Sequence, residues 1–136
     1  MPYSLDVILD LVGTLDDSPG DDTAREQFRN YLTREVEDVG HTRDLIEECL
    51  RESGTQHARA LQVLVNYVGH FLGFEVEHGR YQGTTNDIGH DGLWTSPTGF
   101  HVVIETKTDN CKMPVRFGGR QSWLKKSRRR PARCPQ

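Results

Sequence analysis

The feature of this sequence that most constrains its fold is a change in hydrophobic periodicity at Gly73. Before Gly73, apolar residues recur every three or four positions, which is typical of amphipathic helices. After it, apolar and polar residues alternate, first in residues 74–78, which is typical of half-buried strands. This order predicts an α+β fold, with N-terminal helices followed by a helix packed on a small mixed β-sheet.

Four helices are predicted before the change of period, at about residues 4–15, 23–39, 42–53 and 56–72. Thr23 and Glu26 form the pattern of a capping box at the start of the second helix. Gly40 is expected to end that helix, and Thr42 to cap the third. The fourth helix holds the densest apolar set in the chain, and Gly73 suits its C-cap.

A hairpin is predicted after the first strand. Residues 91–95 and 100–108 both have strand character, and residues 96–99 separate them. Pro97 and Gly99 stand at favoured positions of that turn. The predicted sheet therefore has three strands, of which the last two are joined by a tight connection.

Charge divides the chain at residue 109. Residues 1–109 contain all 20 Asp and Glu but 8 of the 17 Lys and Arg, whereas residues 110–136 contain the other 9 and no acid. The net charges are −12 and +9. We therefore predict an N-terminal helical region at 1–54, an α/β core at 55–109, and a basic tail that is expected to be poorly ordered.

Composition narrows the classes of protein that the chain represents. No apolar run approaches the roughly 20 residues of a membrane span, and the mean hydropathy is −0.66. The first residues lack the basic segment of a signal peptide. The three cysteines are widely spaced and form no Cys-x-x-Cys pair, so no disulfide framework is indicated. A cytoplasmic protein without a membrane partner is expected.

The chemically unusual segment is an apolar strand, residues 101–108, that ends in Glu105-x-Lys107. Alternate residues of a strand face the same side, so Glu105 and Lys107 project together. Lys107 is the only lysine in the first 109 residues, and Asp91 begins the neighbouring strand. Two carboxylates and a lysine are groups that metal-assisted phosphodiester hydrolysis uses.

These residues predict a site for a hard divalent cation, Mg²⁺ or Mn²⁺. Asp91 and Glu105 can share the cation, and the carbonyl of Thr106 offers a further oxygen. Lys107 would orient or deprotonate the attacking water and offset charge in the transition state. His101 shares the predicted strand face with Glu105 and Lys107, and is a further candidate for the site.

Simpler interpretations compete with this site. Glu105 and Lys107 are also what an exposed strand-end ion pair would contain. Asp87 is an alternative first carboxylate, although its surroundings predict a loop. Trp94 and Phe100 suit core packing beside the hairpin or stacking on a nucleic-acid base. The histidines lack the spacing of zinc ligands, so zinc is disfavoured.

Residues 56–108 resemble the core of the PD-(D/E)xK, or restriction-endonuclease-like, nuclease superfamily. The matching segments are the helix end Leu72-Gly73-Phe74, a strand with Val76, the run from His90 to Trp94, and the run from Val102 to Lys107. The resemblance implies that Asp91, Glu105 and Lys107 bind metal and drive cleavage. The expected function is Mg²⁺-dependent endonuclease activity on DNA in restriction, repair or defence.

Three departures from the family pattern matter. The helix before the first strand lacks the acid that many members place there, and Gln62 is the candidate that would replace it through its amide oxygen. His90 precedes Asp91, where the pattern has Pro. The family core continues with a helix and further strands, whereas this chain continues with residues 110–136. The alternative function is therefore a catalytically inactive nuclease-like domain that binds nucleic acid or protein.

The basic tail carries two further expectations about partners. Its densest positive charges would contact a DNA backbone through counterion release; they are Lys125, Lys126, Arg128, Arg129 and Arg130. The alternative is a solvated extension without a specific role. Superfamily members often work as dimers, so the resemblance also implies a homodimer.

Overall fold

Four helices precede a three-stranded sheet in the computed structural model, which describes residues 3–52, 54–82 and 89–107. The elements are α1 (Leu5–Val12), α2 (Ala24–Glu35), α3 (Val39–Arg51), α4 (Thr55–Phe71), β1 (Glu75–His78), β2 (Gly92–Thr95) and β3 (His101–Ile104). The predicted α+β fold is confirmed. Within the described residues the sheet is antiparallel throughout rather than mixed, and no helix has the length and apolar character that a membrane span needs.

Gly73 ends α4 as predicted, and Thr23 caps α2, although the Glu26 carboxylate of the predicted capping box pairs with Arg29. The hydroxyl of Thr23 accepts a hydrogen bond from the backbone N–H of Glu26 at 3.3 Å. Gly73 takes a φ of 84°, and the N–H groups of Gly73 and Phe74 each donate to a carbonyl in the last turn of α4 at 3.1 Å. This pair of bonds is a Schellman motif. It turns the chain directly from α4 into β1.

The predicted boundary between α2 and α3 is wrong. α2 ends at Glu35, and α3 begins after Asp38, whose side chain accepts a hydrogen bond from the backbone N–H of His41 at 2.7 Å. Gly40 therefore lies in the first turn of α3 instead of ending α2. Thr42, the predicted cap, is buried inside α3. An aspartate that caps the helix outweighs the helix-breaking tendency of a glycine two residues later.

The hydrophobic core lies among the four helices. Its buried members are Leu5, Ile8, Leu15, Phe28, Leu32, Val36, Leu45, Cys49, Ala60, Leu61, Val63 and Leu64. This core crosses residue 54, the predicted boundary between the helical region and the α/β core. Burial raises the pKa of the Cys49 thiol to about 12, so the group remains protonated and unreactive at neutral pH.

The sheet packs on α4 through one face. β2 lies between β1 and β3, and the register places Trp94 opposite Val76 on one side and Val102 on the other. Trp94 is the only strand residue among the buried apolar side chains of the described part of the chain. A methyl group at Gly69 of α4 would lie 2.7 Å from the Trp94 ring. The absence of a side chain at Gly69 therefore lets the helix approach the sheet closely.

Gln56 anchors the loop between α1 and α2 to the first turn of α4. Its carboxamide accepts a hydrogen bond from the N–H of Leu15 at 2.7 Å and donates one to the carbonyl of Leu15 at 3.2 Å. The guanidinium group of Arg59 donates to the same carbonyl at 2.6 Å. Leu15 is fully buried, so these side chains satisfy backbone groups that water does not reach.

Candidate functional site

Asp91 lies directly before β2, and Thr106, which follows β3, holds its carboxylate. Oδ2 of Asp91 accepts hydrogen bonds from the backbone N–H of Thr106 and from the Thr106 hydroxyl, the latter at 2.9 Å. The N–H of Asp91 donates to the carbonyl of Ile104 at 2.9 Å. Asp91 is thus bound to both residues that flank Glu105. Three predicted site residues, Asp91, Glu105 and Lys107, therefore belong to one connected segment of the sheet.

The backbone carbonyl of Asp91 is fixed by a second set of contacts. It accepts hydrogen bonds from the carboxamide of Asn66 at 2.9 Å, from that of Gln62 at 3.2 Å, and from the N–H of Gly79 at 2.9 Å. The amide of Gln62 also donates to the carbonyl of Arg80 at 3.3 Å. Because both carboxamides are buried, losing these partners would leave polar groups unsatisfied at about 1–3 kcal/mol each.

Asn66 links α4 to β2 at a second point. Its Oδ1 accepts a hydrogen bond from the indole N–H of Trp94 at 3.0 Å, and both groups are buried. A side chain at Gly92 would overlap the Asn66 carboxamide. Asn66 was not predicted as a site residue. The available signal was the pair Gln62 and Asn66, which stand four residues apart, and so on one face, in a helix with many apolar residues.

Glu105 and Lys107 are open to solvent. The Nζ atom of Lys107 lies 3.4 Å from Oε2 of Glu105, and the two side chains are 75% and 68% exposed. Thr106 between them is half-buried, which is the alternation that an extended chain predicts. An ion pair this exposed contributes under about 1 kcal/mol to stability. Both charged groups are accessible to a dissolved substrate.

The further candidates for the site, Gln62 and His101, lie at different distances from Asp91. Gln62 contacts Asp91, but it does so by donating from its amide nitrogen. Nδ1 of His101 lies 3.0 Å from the hydroxyl of Thr95 at the other end of β3. Four residues of extended chain, roughly 13 Å, separate His101 from Glu105. The structure does not bring His101 to Asp91, and the carbonyl of Thr106 as a metal ligand stays a prediction.

A hard divalent cation at Asp91 and Glu105 stays a prediction, because alternation along the strand turns Glu105 away from the Thr106 side chain that binds Asp91. Oδ1 of Asp91 has no hydrogen-bond partner among the described residues, and the Glu105 carboxylate is exposed. Over residues 3–52, 54–82 and 89–107, no cluster of three or more His, Cys, Asp or Glu side chains could hold a metal ion. Two carboxylates suit Mg²⁺, which commonly keeps several of its waters when it binds a protein.

The two aromatic candidates have separate environments. Trp94 is buried against α4, as the core-packing interpretation predicts. Phe100 is exposed, and its ring lies edge-on to that of Phe74 with 6.0 Å between centroids. Asp87, the alternative carboxylate, lies outside the described residues. So do the basic residues of the tail, Lys125, Lys126, Arg128, Arg129 and Arg130.

No family model matches the chain, and neither the curated proteins nor the solved structures provide a match. The resemblance to PD-(D/E)xK nucleases therefore rests on the motif residues themselves.

Proposed function

We propose that the chain catalyses metal-dependent hydrolysis of phosphodiester bonds in DNA. The observation that carries the proposal is the pair of hydrogen bonds that the N–H and hydroxyl of Thr106 donate to the Asp91 carboxylate. A simple surface ion pair between Glu105 and Lys107 does not require an aspartate from the neighbouring strand to be fixed on the residue between them. In a catalytic site, the same contact would hold Asp91 at the strand end that carries Glu105 and Lys107.

Each residue has a distinct task in this reaction. Asp91 and Glu105 would hold the cation, which when bound would polarise the scissile phosphate and make an attacking water more acidic. Thr106 occupies Oδ2 of Asp91 and leaves Oδ1 for the metal. The ammonium group of Lys107, next to Glu105, orients the attacking water and offsets the charge that develops on the phosphate oxygens.

The proposal is tested by plasmid nicking with Mg²⁺, Mn²⁺ or EDTA. We expect nicking by the full chain with metal, and a loss of about 100-fold or more in Lys107→Ala and Glu105→Gln. Glu77→Gln is the matched control, because Glu77 is also an exposed strand glutamate; it should stay within about twofold of the parent chain. Equal nicking by the parent chain and Lys107→Ala, or none by the parent chain with either metal, contradicts the proposal.

A binding module that has lost turnover is the second candidate. The favouring observation is that Gln62 uses its amide nitrogen on backbone carbonyls, while α4 has no acid to supply a third metal ligand. This function predicts DNA binding with Mg²⁺ present and no strand cleavage. Fluorescence anisotropy with a labelled duplex, run beside the nicking assay, separates the two functions.

The tail and the homodimer belong to the same proposal. Replacing the five basic residues from Lys125 to Arg130 with glutamine in the full chain should weaken duplex binding and flatten its dependence on salt. Unchanged affinity and slope would assign the tail no role in DNA binding. Sedimentation equilibrium measures the subunit number, for which two is expected.

A further inference from the structure

A second group of charged side chains gathers around Tyr81, between α2, α4 and the chain that follows β1. Oε1 of Glu26 lies 2.6 Å from Nη1 of Arg29 and 3.6 Å from Nε of Arg25, so two guanidinium groups converge on one carboxylate oxygen. The guanidinium carbon of Arg59 lies 5.4 Å from the centroid of the Tyr81 ring. Three of the seven arginines in the acidic first 109 residues thus meet at one place.

Asp17, one of the carboxylates that pair with this group, uses both of its oxygens. Oδ1 of Asp17 lies 3.5 Å from Arg25 and also accepts a hydrogen bond from the N–H of Tyr81 at 2.9 Å. Its Oδ2 accepts from the N–H of Gln82 at 3.0 Å. Asp17 and Glu26 are the two carboxylates that pair with Arg25 and Arg29 within the described chain. The three guanidinium groups therefore face two carboxylates, together with the carbonyl oxygens of Leu15 and Ser18.

The same group collects buried donors without acceptors. In the part of the chain that the structure describes, six buried side-chain nitrogen or oxygen atoms have no hydrogen-bond partner. Four of them are Nε of Arg25, Nε of Arg29, Nδ1 of His78 and the hydroxyl of Tyr81. All four are able to donate a hydrogen bond. Such a concentration is unusual, because buried polar groups are nearly always paired.

Burial and neighbouring charges shift the pKa values of these side chains. Burial, with smaller effects of Arg29, His70 and Arg25, lowers the pKa of His78 to about 4. Burial likewise lowers the pKa of Arg29 despite the nearby Glu26. It raises the pKa of the Tyr81 phenol to about 12, so that group keeps its proton at neutral pH. Cations and neutral donors in this place would be stabilised by a bound anion.

We propose that Arg25, Arg29, Arg59, His78 and Tyr81 bind a phosphate group. The donors come from α2, α4, β1 and the following loop, and hence from several directions. A tetrahedral phosphate presents acceptor oxygens in several directions, whereas a carboxylate presents two in one plane, and the arginine fork matches phosphate geometry. The side chains of Arg25 and Arg29 remain 16% and 20% exposed, so the group lies at the edge of the core rather than deep inside it.

The phosphate belongs either to a free small anion or to a nucleic-acid backbone. Tyr81 follows Arg80, whose carbonyl shares the Gln62 amide with the carbonyl of Asp91. The phosphate site therefore lies close to the candidate nuclease site. A nucleic-acid phosphate bound there would hold the DNA substrate at a second point. Only this link to DNA cleavage rests on the proposed function.

The test is a calorimetric titration of the full chain with sodium phosphate in EDTA, beside sodium chloride at equal ionic strength. We expect saturable binding of phosphate and none of chloride. Tyr81→Phe removes only the hydroxyl and should weaken binding about tenfold, and Arg29→Gln should weaken it at least as much. Arg43→Gln is the matched control, because that arginine is 70% exposed on α3; it should stay within about twofold.

Several outcomes overturn the phosphate site. These are equal responses to phosphate and chloride, an unchanged affinity in Tyr81→Phe, or an equal loss in Arg43→Gln; ordered water alone would then meet the buried donors. Far-UV circular dichroism verifies the fold of each variant, and Tyr81→Phe decides the test if Arg29→Gln does not fold. Competition by a short oligonucleotide identifies a backbone phosphate, and its absence identifies a free anion. Without metal, the titration is independent of the cleavage assay.

Discussion

The helical layer and the three-stranded sheet are held by different forces. Residues 5–64 supply all but one of the buried apolar side chains in the described chain, and the sheet supplies Trp94. The sheet is instead attached to α4 by the carboxamides of Gln62 and Asn66 and by the close approach at Gly69. The core thus provides most of the stability. The hydrogen bonds of Gln62 and Asn66, which we call the polar seam, fix the position of Asp91.

The two kinds of contact differ in magnitude. A fully buried leucine or phenylalanine contributes about 1.5–3 kcal/mol through the area it removes from water. A typical hydrogen bond contributes about 0.5–1.5 kcal/mol net, although losing one partner of a buried pair costs more. Substitutions in the core should therefore unfold the whole chain. Substitutions in the seam should loosen the sheet while the helices persist.

The largest effect is expected from Phe28→Ala in the helical core. Phe28 is fully buried, and its truncation should lower the free energy of unfolding by about 3–5 kcal/mol through lost transfer energy and a cavity. Urea denaturation followed by far-UV circular dichroism measures this. Phe100→Ala, at an exposed phenylalanine directly before β3, should cost under about 1 kcal/mol. Similar losses in both variants would remove the contrast between the two regions.

Asn66→Leu tests the seam and should cost about 2 kcal/mol, because the Trp94 indole and the Asp91 carbonyl each lose a buried partner. A Trp123→Phe background leaves Trp94 as the only tryptophan. We expect its fluorescence to change at a lower urea concentration than the helical dichroism signal. Asn30→Leu, at an exposed position of α2, is the control. Coincident transitions of both signals in Asn66→Leu would show that the layers unfold as one unit.

His78, the last residue of β1, should make the free energy of unfolding depend on pH. The pKa of His78 falls from its usual 6.5 to about 4, mainly through burial. Between these values the unfolded chain binds a proton that the folded chain does not. His78 therefore stabilises the fold fully above about pH 6.5 and less as pH falls towards 4. Because the ring is only half-buried, we expect a loss of about 1–2 kcal/mol.

Urea midpoints between pH 7.5 and 4.5 in phosphate-free buffer measure this effect. His78→Gln should flatten the dependence on pH relative to the parent chain. Asn30→Gln, at an exposed position of α2 that does not titrate, should leave it unchanged. Parallel pH profiles for the parent chain and His78→Gln would mean that the imidazole does not contribute.

The smallest effect on stability is expected at the candidate catalytic pair. Lys107→Ala should change the free energy of unfolding by less than about 0.5 kcal/mol, because the pair with Glu105 is exposed. Under the proposed function the same substitution abolishes nicking. Denaturation and cleavage measured on one preparation therefore separate a residue that supports the fold from one that supports chemistry. A large loss of stability would assign Lys107 to the fold instead.

Signals that act over a few residues were predictable from the sequence. The Thr23 cap and the Gly73 turn need only neighbouring atoms, and both predictions are confirmed. The α2–α3 boundary failed because Gly40 was weighted above Asp38, although Asp38 is also a local signal. The pairing of β2 with β3 followed from their short connection, whereas the pairing of β1 with β2 was not predicted.

Contacts between residues that are distant in the sequence were harder to predict. Spacing alone shows that Glu105 and Lys107 share a strand, but the bond from Thr106 to Asp91 joins residues 15 apart and depends on the folded sheet. The role of Asn66 depends on residues 25 and 28 positions away. The arginines around Tyr81 lie on separate elements, and no local pattern in the sequence brings them together.

The anchoring of Leu15 by Gln56 has a consequence for hydrogen exchange. The Leu15 amide belongs to a loop, where exchange with solvent deuterium is normally fast, yet it donates to a side chain of α4. Its exchange rate should therefore follow the opening of the first turn of α4 rather than that of its own loop. One slowly exchanging loop amide would then report on the integrity of a helix that begins forty residues later.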